Sequence, residues 1–175
     1  MKLAYVTLKG RGRIDELLAK VASGLEGASV ALVGTVQTNI DRDDRRVCDM
    51  DLRLLPGGPV VRISVDRGPE ARGCRLDAGV LEESALWLSQ NLDAAELVII
   101  NKFGKQEAEG KGLTPIIAEA LSRGLPVLVG VNGLNLPQFL AFADGLAERL
   151  EPDPDTVIGW GLAARLQDDE ECLTG

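Results

Sequence analysis

An apolar run from Lys2 to Leu8 gives way to Lys9-Gly10-Arg11-Gly12-Arg13, and then to Ile14, Leu17, Leu18, Val21 and Leu25 at helical spacing. Glycines and cations between a strand and a helix suit an anion. Glycine lets the backbone turn its N–H groups inward, and the helix N-terminus adds partial positive charge. The phosphate-cradling pattern Gly-x-x-x-x-Gly-Lys-Ser/Thr can be laid over Thr7-Leu8-Lys9-Gly10-Arg11-Gly12-Arg13-Ile14. The second glycine survives and Arg13 stands at the lysine position. Thr7 replaces the first glycine, and Ile14 replaces the hydroxyl that would bind magnesium. Lys9, Gly10, Arg11, Gly12 and Arg13 are therefore candidate anion-binding residues; the alternative is a plain basic turn.

A second candidate follows the apolar run Leu97-Val98-Ile99-Ile100, which ends in Asn101-Lys102-Phe103-Gly104-Lys105-Gln106-Glu107. Phosphoryl-transfer sites place an aspartate here, in the magnesium shell. A neutral amide cannot supply that charge, so Ile14 and Asn101 both weaken the same ion's site. Asn101 and Gly104 remain candidate ligand-binding residues. Lys102 and Lys105 could stabilise charge while Glu107 or Glu109 positions water; a solvated loop is the alternative. The third candidate is Cys74 with Arg75, since cations favour thiolates. Packing beneath a helix capped by Asp77 would make that thiol inert instead. Cys48 reads as core and Cys172 as an exposed tail thiol.

Composition excludes several classes. The chain has 175 residues, no histidine and three widely spaced cysteines, so histidine-activated nucleophiles, histidine metal sites and a structural zinc framework are not expected. A net charge of -8 opposes nucleic acid, whose binding runs on clustered Lys and Arg. No stretch has the roughly 18 unbroken apolar residues of a membrane span, and the cytoplasm is the expected compartment.

The elements that must position these loops alternate between strand and helix. Strands are expected at Lys2 to Leu8, Ser29 to Val36, Leu97 to Ile100 and Pro126 to Val131, with a polar loop from Gln37 to Arg46. Helices are expected after Gly12, after Asp77, from Thr114-Pro115 to Gly124, and from Pro137 with Leu140, Ala143, Leu146, Ala147 and Leu150 inward. Cys48, Met50, Leu52 and Leu54 alternate with charged residues before Pro56-Gly57-Gly58, and Val61, Ile63 and Val65 alternate after it, which reads as a β-hairpin over residues 47–65. Residues 156–166 fit either strand or helix. One α/β domain over 1–166 with an acidic tail over 167–175 is the expected organisation. A mainly parallel sheet covered on both faces places ligands at the carboxyl ends of its strands, so the loops at 9–13, 101–112 and 132–135 qualify. The charged turn from Asp41 to Arg46 reads as a solvated face, and Trp87, off its helix's inward face, reads as a homo-oligomer contact.

Gly34-Thr35-Val36-Gln37-Thr38, the Arg-rich turn, the hairpin at Pro56-Gly57-Gly58 and the segment from Asn101 to Glu107 resemble the small cancer-related and thermophile nucleoside triphosphatases. Gly104 and Glu107 match that family's loop, and Asn101 departs from it. Gly73-Cys74-Arg75-Leu76-Asp77 and the segment from Asn101 to Gly110 more closely resemble a bacterial family of unknown function related to those enzymes and described near molybdate-transport genes. The resemblance implies a three-layer, P-loop NTPase-like (Rossmann-like) fold. The expected function is a pseudo-NTPase that binds a nucleotide or an oxyanion. The alternatives are a slow nucleoside-triphosphate phosphohydrolase using the 101–109 loop, and a redox or interaction protein centred on Cys74.

Overall fold

The computed structural model describes residues 2–40, 49–65 and 76–172, with side chains through 166. The sheet has seven strands: β1 (Leu3–Val6), β2 (Leu32–Ile40), β3 (Asp49–Leu55), β4 (Val60–Arg62), β5 (Leu97–Phe103), β6 (Val127–Val131) and β7 (Ala147–Arg149). Their spatial order is β4-β3-β2-β5-β6-β1-β7. β2, β5, β6, β1 and β7 pair in parallel, while β3 and β4 add an antiparallel edge on β2. The central strands β1, β5 and β6 are almost wholly buried because helices cover both of their faces.

Helices α1 (Arg13–Gly27) and α6 (Pro154–Cys172) lie on one face, where Leu18, Val21, Leu25 and Val157 pack on Ala4, Val6, Leu97 and Ile99. On the other face are α2 (Ala78–Asn91), α4 (Thr114–Ser122) and α5 (Leu136–Ala143). There Leu88, Ile117 and Phe139 pack on Tyr5, Val98, Ile100 and Val129. The short α3 (Lys105–Ala108) follows β5 directly. Asp77 caps α2 as its sequence position implies, accepting from the backbone N–H of Gly79 and Val80 at 3.0 and 3.2 Å. Gly34 is required where β2 meets β5. Its φ is +147°, and a Cβ there would stand 1.9 Å from the Ile99 carbonyl oxygen.

Two expectations change and one left open resolves. Gln37 to Ile40 continue β2 instead of opening a loop, because β3 supplies ladder partners from Gly34↔Leu55 to Ile40↔Asp49. The helix begun near Pro137 stops at Ala143. Asp144 and Gly145 adopt φ of 46° and 77°, and Ala147–Arg149 then pair with the open edge of β1. Leu140 and Leu146 are consequently exposed, and Phe139 and Ala143 carry the buried face. Residues 156–166 are helical; α6 comes close to α1 through glycine, and a Cβ on Gly161 would meet Leu25 at 3.1 Å. Trp87 covers the β3–β4 turn: a Cβ on Gly58 would meet its ring at 2.7 Å. The indole is half-buried there, at the margin of the core.

β1 leads to α1 on one face, whereas β6, its neighbour, leads to α5 on the other. Such a reversal opens a crevice at the carboxyl ends of the two strands.

Candidate functional site

That crevice holds a cleft of about 790 Å³. The turn from Thr7 to Gly12 forms one wall and the loop from Val131 to Leu134 with Leu136 forms the other. Gly10 and Gly12 hold φ of 108° and 74°, a backbone state that other residues reach with strain. Gly12 is the N-cap residue of α1, and its carbonyl accepts from the Glu16 N–H at 3.0 Å. Four cationic residues line the space: Lys9, Arg11, Lys102 and Arg149. Leu8, Ile14, Leu134 and Leu136 give it an apolar wall, and Leu134 is 84% exposed.

Arg13 is exposed and does not line the cleft. Its side chain lies back over the turn, where a Cβ on Gly10 would come within 2.8 Å of it. The cation that reaches the cleft instead is Lys102, expected at the strand end, together with Arg149 from β7. Arg149 had no sequence signal, since that segment carries helical spacing.

Beneath the glycine turn lies a polar cluster built on Asp15, which is 3% exposed in the first turn of α1. Asn39 Nδ2 donates to Asp15 Oδ2 at 2.5 Å and Asn101 Nδ2 donates to Asp15 Oδ1 at 2.8 Å. Gln37 Nε2 donates in turn to Asn39 Oδ1 at 2.8 Å. Lys102 Nζ stands 3.6 Å from Asp15 Oδ1. The backbone explains how two successive residues of one strand reach the same carboxylate. Alternation along β5 sends Leu97 and Ile99 toward α1 and Val98 and Ile100 toward α2 and α4. A register shift between Asn101 and Phe103 breaks the alternation, so Phe103 rejoins the second face, 5.2 Å from the ring of Phe139. Asn101 and Lys102 are left together on the Asp15 side. Asp15 was legible in principle, because it shares the inward stripe of α1 with Leu18 and Ala22.

Glu107 and Lys105 are not brought to the cleft. Glu107 is 5% exposed, and its two carboxylate oxygens accept the backbone N–H groups of Gly104 at 2.9 Å and Leu113 at 3.0 Å. Burial holds its pKa above the ordinary 4.5 despite those bonds. Gly112 fits because a Cβ there would meet Glu107 Oε1 at 2.3 Å. The carboxylate therefore pins the loop from Gly104 to Leu113, with no lone carboxylate oxygen turned to the cleft. Lys105 is exposed and stands 4.0 Å from Glu109. Gly104 caps α3 and lines a separate, largely apolar hollow of about 170 Å³. Cys74, Arg75 and Cys48 lie outside the described residues, as does the charged turn from Asp41 to Arg46.

A glycine turn from the first strand into a helix, set at the switch point of a mainly parallel sheet, is common to several nucleotide-binding folds, and comparison with solved structures shows the P-loop nucleoside triphosphatase fold. The chain is similar to a human cancer-related nucleoside triphosphatase (TM-score 0.60, 20% identity, covering 99% of this chain and 98% of that one). It is also similar to THEP1 from the hyperthermophile Aquifex aeolicus (TM-score 0.64, 15% identity, covering 91% and 95%). The chain belongs to the family described as "Protein of unknown function (DUF2478)", which it matches over residues 3–160. Over 162 residues it is 31% identical to the molybdenum import ATP-binding protein ModC 2 of Bradyrhizobium diazoefficiens; that match takes in 91% of this chain and 18% of the relative. Among the described residues no helix is long and apolar enough to cross a membrane.

The fold implies magnesium, and the residues present do not fit it. Magnesium asks for near-octahedral oxygen ligands at about 2.0–2.1 Å. Ile14 is apolar, and Asn101 turns an amide N–H₂ toward Asp15, leaving one neutral amide oxygen, the buried and unpartnered Asn101 Oδ1, in place of the expected carboxylate. Asp15 has each carboxylate oxygen engaged by an amide donor, with an ammonium close by.

Proposed function

We propose that this chain binds a small phosphate-bearing anion, a nucleotide first among them, in the cleft between the Thr7–Gly12 turn and the Val131–Leu136 loop, as a pseudo-NTPase. The observation that carries this reading is the convergence of Lys9, Arg11, Lys102 and Arg149 on a glycine turn at a helix N-terminus. The cleft volume of about 790 Å³ lies within the range of small-molecule sites, roughly 300–1,000 Å³. The wall of Leu8, Leu134 and Leu136 favours a nucleotide over bare phosphate, because a nucleobase has an apolar face to bury and phosphate has none. Resemblance to a molybdenum import ATP-binding protein adds molybdate, a tetrahedral oxyanion, to the ligands worth testing.

Titration calorimetry with ATP, GTP, inorganic phosphate and molybdate tests the proposal. ATP or GTP is expected to bind more tightly than phosphate, and Lys9→Glu to weaken that binding at least about tenfold through loss of a charge-assisted contact. Absence of heat and of a thermal shift with all of these ligands would remove the reading.

A further inference from the structure

Resting on that anion-binding reading, we infer that the site takes its anion free of magnesium, with the Lys102 ammonium, held by Asp15, standing in for the metal ion. Three independent observations converge. Lys102 belongs to both environments: it lines the cleft, and its Nζ lies 3.6 Å from Asp15 Oδ1 beneath the glycine turn. Its placement is built by the backbone, because the register shift between Asn101 and Phe103 turns Lys102 onto the face of Asp15 and away from Val98 and Ile100. Asp15 is itself fixed, 3% exposed and held through both oxygens by Asn39 and Asn101, so it is a rigid counter-charge that orients the ammonium.

A divalent ion entering this space would meet Lys102 as a like charge and would find both Asp15 oxygens already engaged by amide N–H groups, with the neutral, buried Asn101 Oδ1 beside them unpartnered. It would have to displace hydrogen bonds of 2.5 and 2.8 Å to reach the carboxylate. An anion arriving without metal meets a cation already in position, with no ion to recruit from solution. The ligand class is therefore the free polyphosphate or oxyanion, and Lys102 is a positioned binding residue whose aim Asp15 sets.

The experiment is ATP titration by calorimetry in excess EDTA and in excess magnesium, on the wild-type chain and on Lys102→Met, with circular dichroism verifying the fold of the variant. The wild type is expected to bind ATP at least as tightly in EDTA as in magnesium, because complexed ATP carries less negative charge to the cleft. Lys102→Met is expected to lose about tenfold in EDTA through the missing charged contact. Should that variant not fold, Lys102→Gln replaces it with the same expectation, and the wild-type comparison of EDTA with magnesium stands unaided. Tenfold or greater strengthening of wild-type binding by magnesium would overturn the inference, as would unchanged affinity in a folded Lys102 variant. Those outcomes leave the anion-binding reading in place. Absence of ATP binding in both buffers would instead remove that reading and this inference with it.

Discussion

Asp15→Asn isolates what the buried cluster contributes, since it preserves volume and removes one charge. The carboxylate accepts from Asn39 and Asn101 through separate oxygens, and an amide offers one oxygen where there were two. Unless Asn101 turns its amide over to offer its unpartnered Oδ1, one donor then faces an N–H₂ group. Hydrogen bonds to charged groups contribute about 1.5–3 kcal/mol, so the lost bond removes about 2 kcal/mol. The Lys102 ion pair at 3.6 Å is worth about 5 kcal/mol in Coulomb energy at an effective dielectric near 20, before desolvation is subtracted. Lys102 is 28% exposed and can turn to water, which leaves about 1 kcal/mol of that. Relief of the charge's burial opposes both effects. With both oxygens satisfied in the folded chain, the losses dominate, and the expected destabilisation reaches at most about 3 kcal/mol. For a chain of this size that lowers Tm by at most about 6–12 °C, which thermal unfolding followed by circular dichroism measures directly. A Tm within about 2 °C of wild type would refute the reasoning, because the cluster would then be no more than balanced against its own desolvation.

Glu107→Ala leaves the buried N–H groups of Gly104 and Leu113 without their acceptor and should destabilise by about 2–5 kcal/mol in urea unfolding while ATP affinity stays within about threefold of wild type; a selective loss of binding would return Glu107 to the site. The raised pKa of Glu107 has a definite sign: the folded state holds the proton more tightly than the unfolded one, so this group's contribution to stability is complete below about pH 4.5 and is lost as pH rises through the shifted value. Wild type minus Glu107→Gln stability should therefore fall with rising pH in that window, and a difference that rises would contradict the shift. Gly34→Ala forces a Cβ to 1.9 Å from the Ile99 carbonyl oxygen and should give insoluble or unfolded protein by expression and circular dichroism; a folded variant within about 1 kcal/mol of wild type would contradict the packing of β2 on β5. Charge reversal at Arg13, exposed and outside the cleft wall, should weaken ATP binding less than Lys9→Glu does, and the opposite order in calorimetry would place the anion on the outer side of the turn.

The layering of this fold was legible because its strongest signals are local. β1, β5 and β6 are short apolar runs; Asp77 caps α2 and Pro115 sits in the first turn of α4, although the residue capping α4 is Leu113 and the Thr114 hydroxyl donates to the Glu107 carbonyl instead. What escaped depends on partners distant in sequence. Gln37 to Ile40 become strand through β3, and Ala147–Arg149 become strand through the free edge of β1, although helical spacing runs straight through Gly145. The same non-local logic governs the site. The glycine turn was visible from its residues, but Arg149 reaches the cleft only once β7 pairs with β1. Lys102 reaches Asp15 only through a register shift that no spacing rule announces. Glu107 looked like a catalytic carboxylate because acidic residues at strand ends so often are; its two backbone contacts, formed by the loop folding back to Leu113, explain its burial in structural terms.

The most direct test of anion binding at the glycine turn is a site-resolved one. In a two-dimensional ¹⁵N–¹H spectrum the backbone amides of Gly10 and Gly12 report on the turn itself, and those of Gly133 and Leu134 on the facing loop. Stepwise addition of ATP in EDTA should move these resonances together along one saturating curve, with Glu107 and Leu113 stationary. Shifts confined to residues away from both loops, or none at millimolar ATP, would contradict an anion site in this cleft.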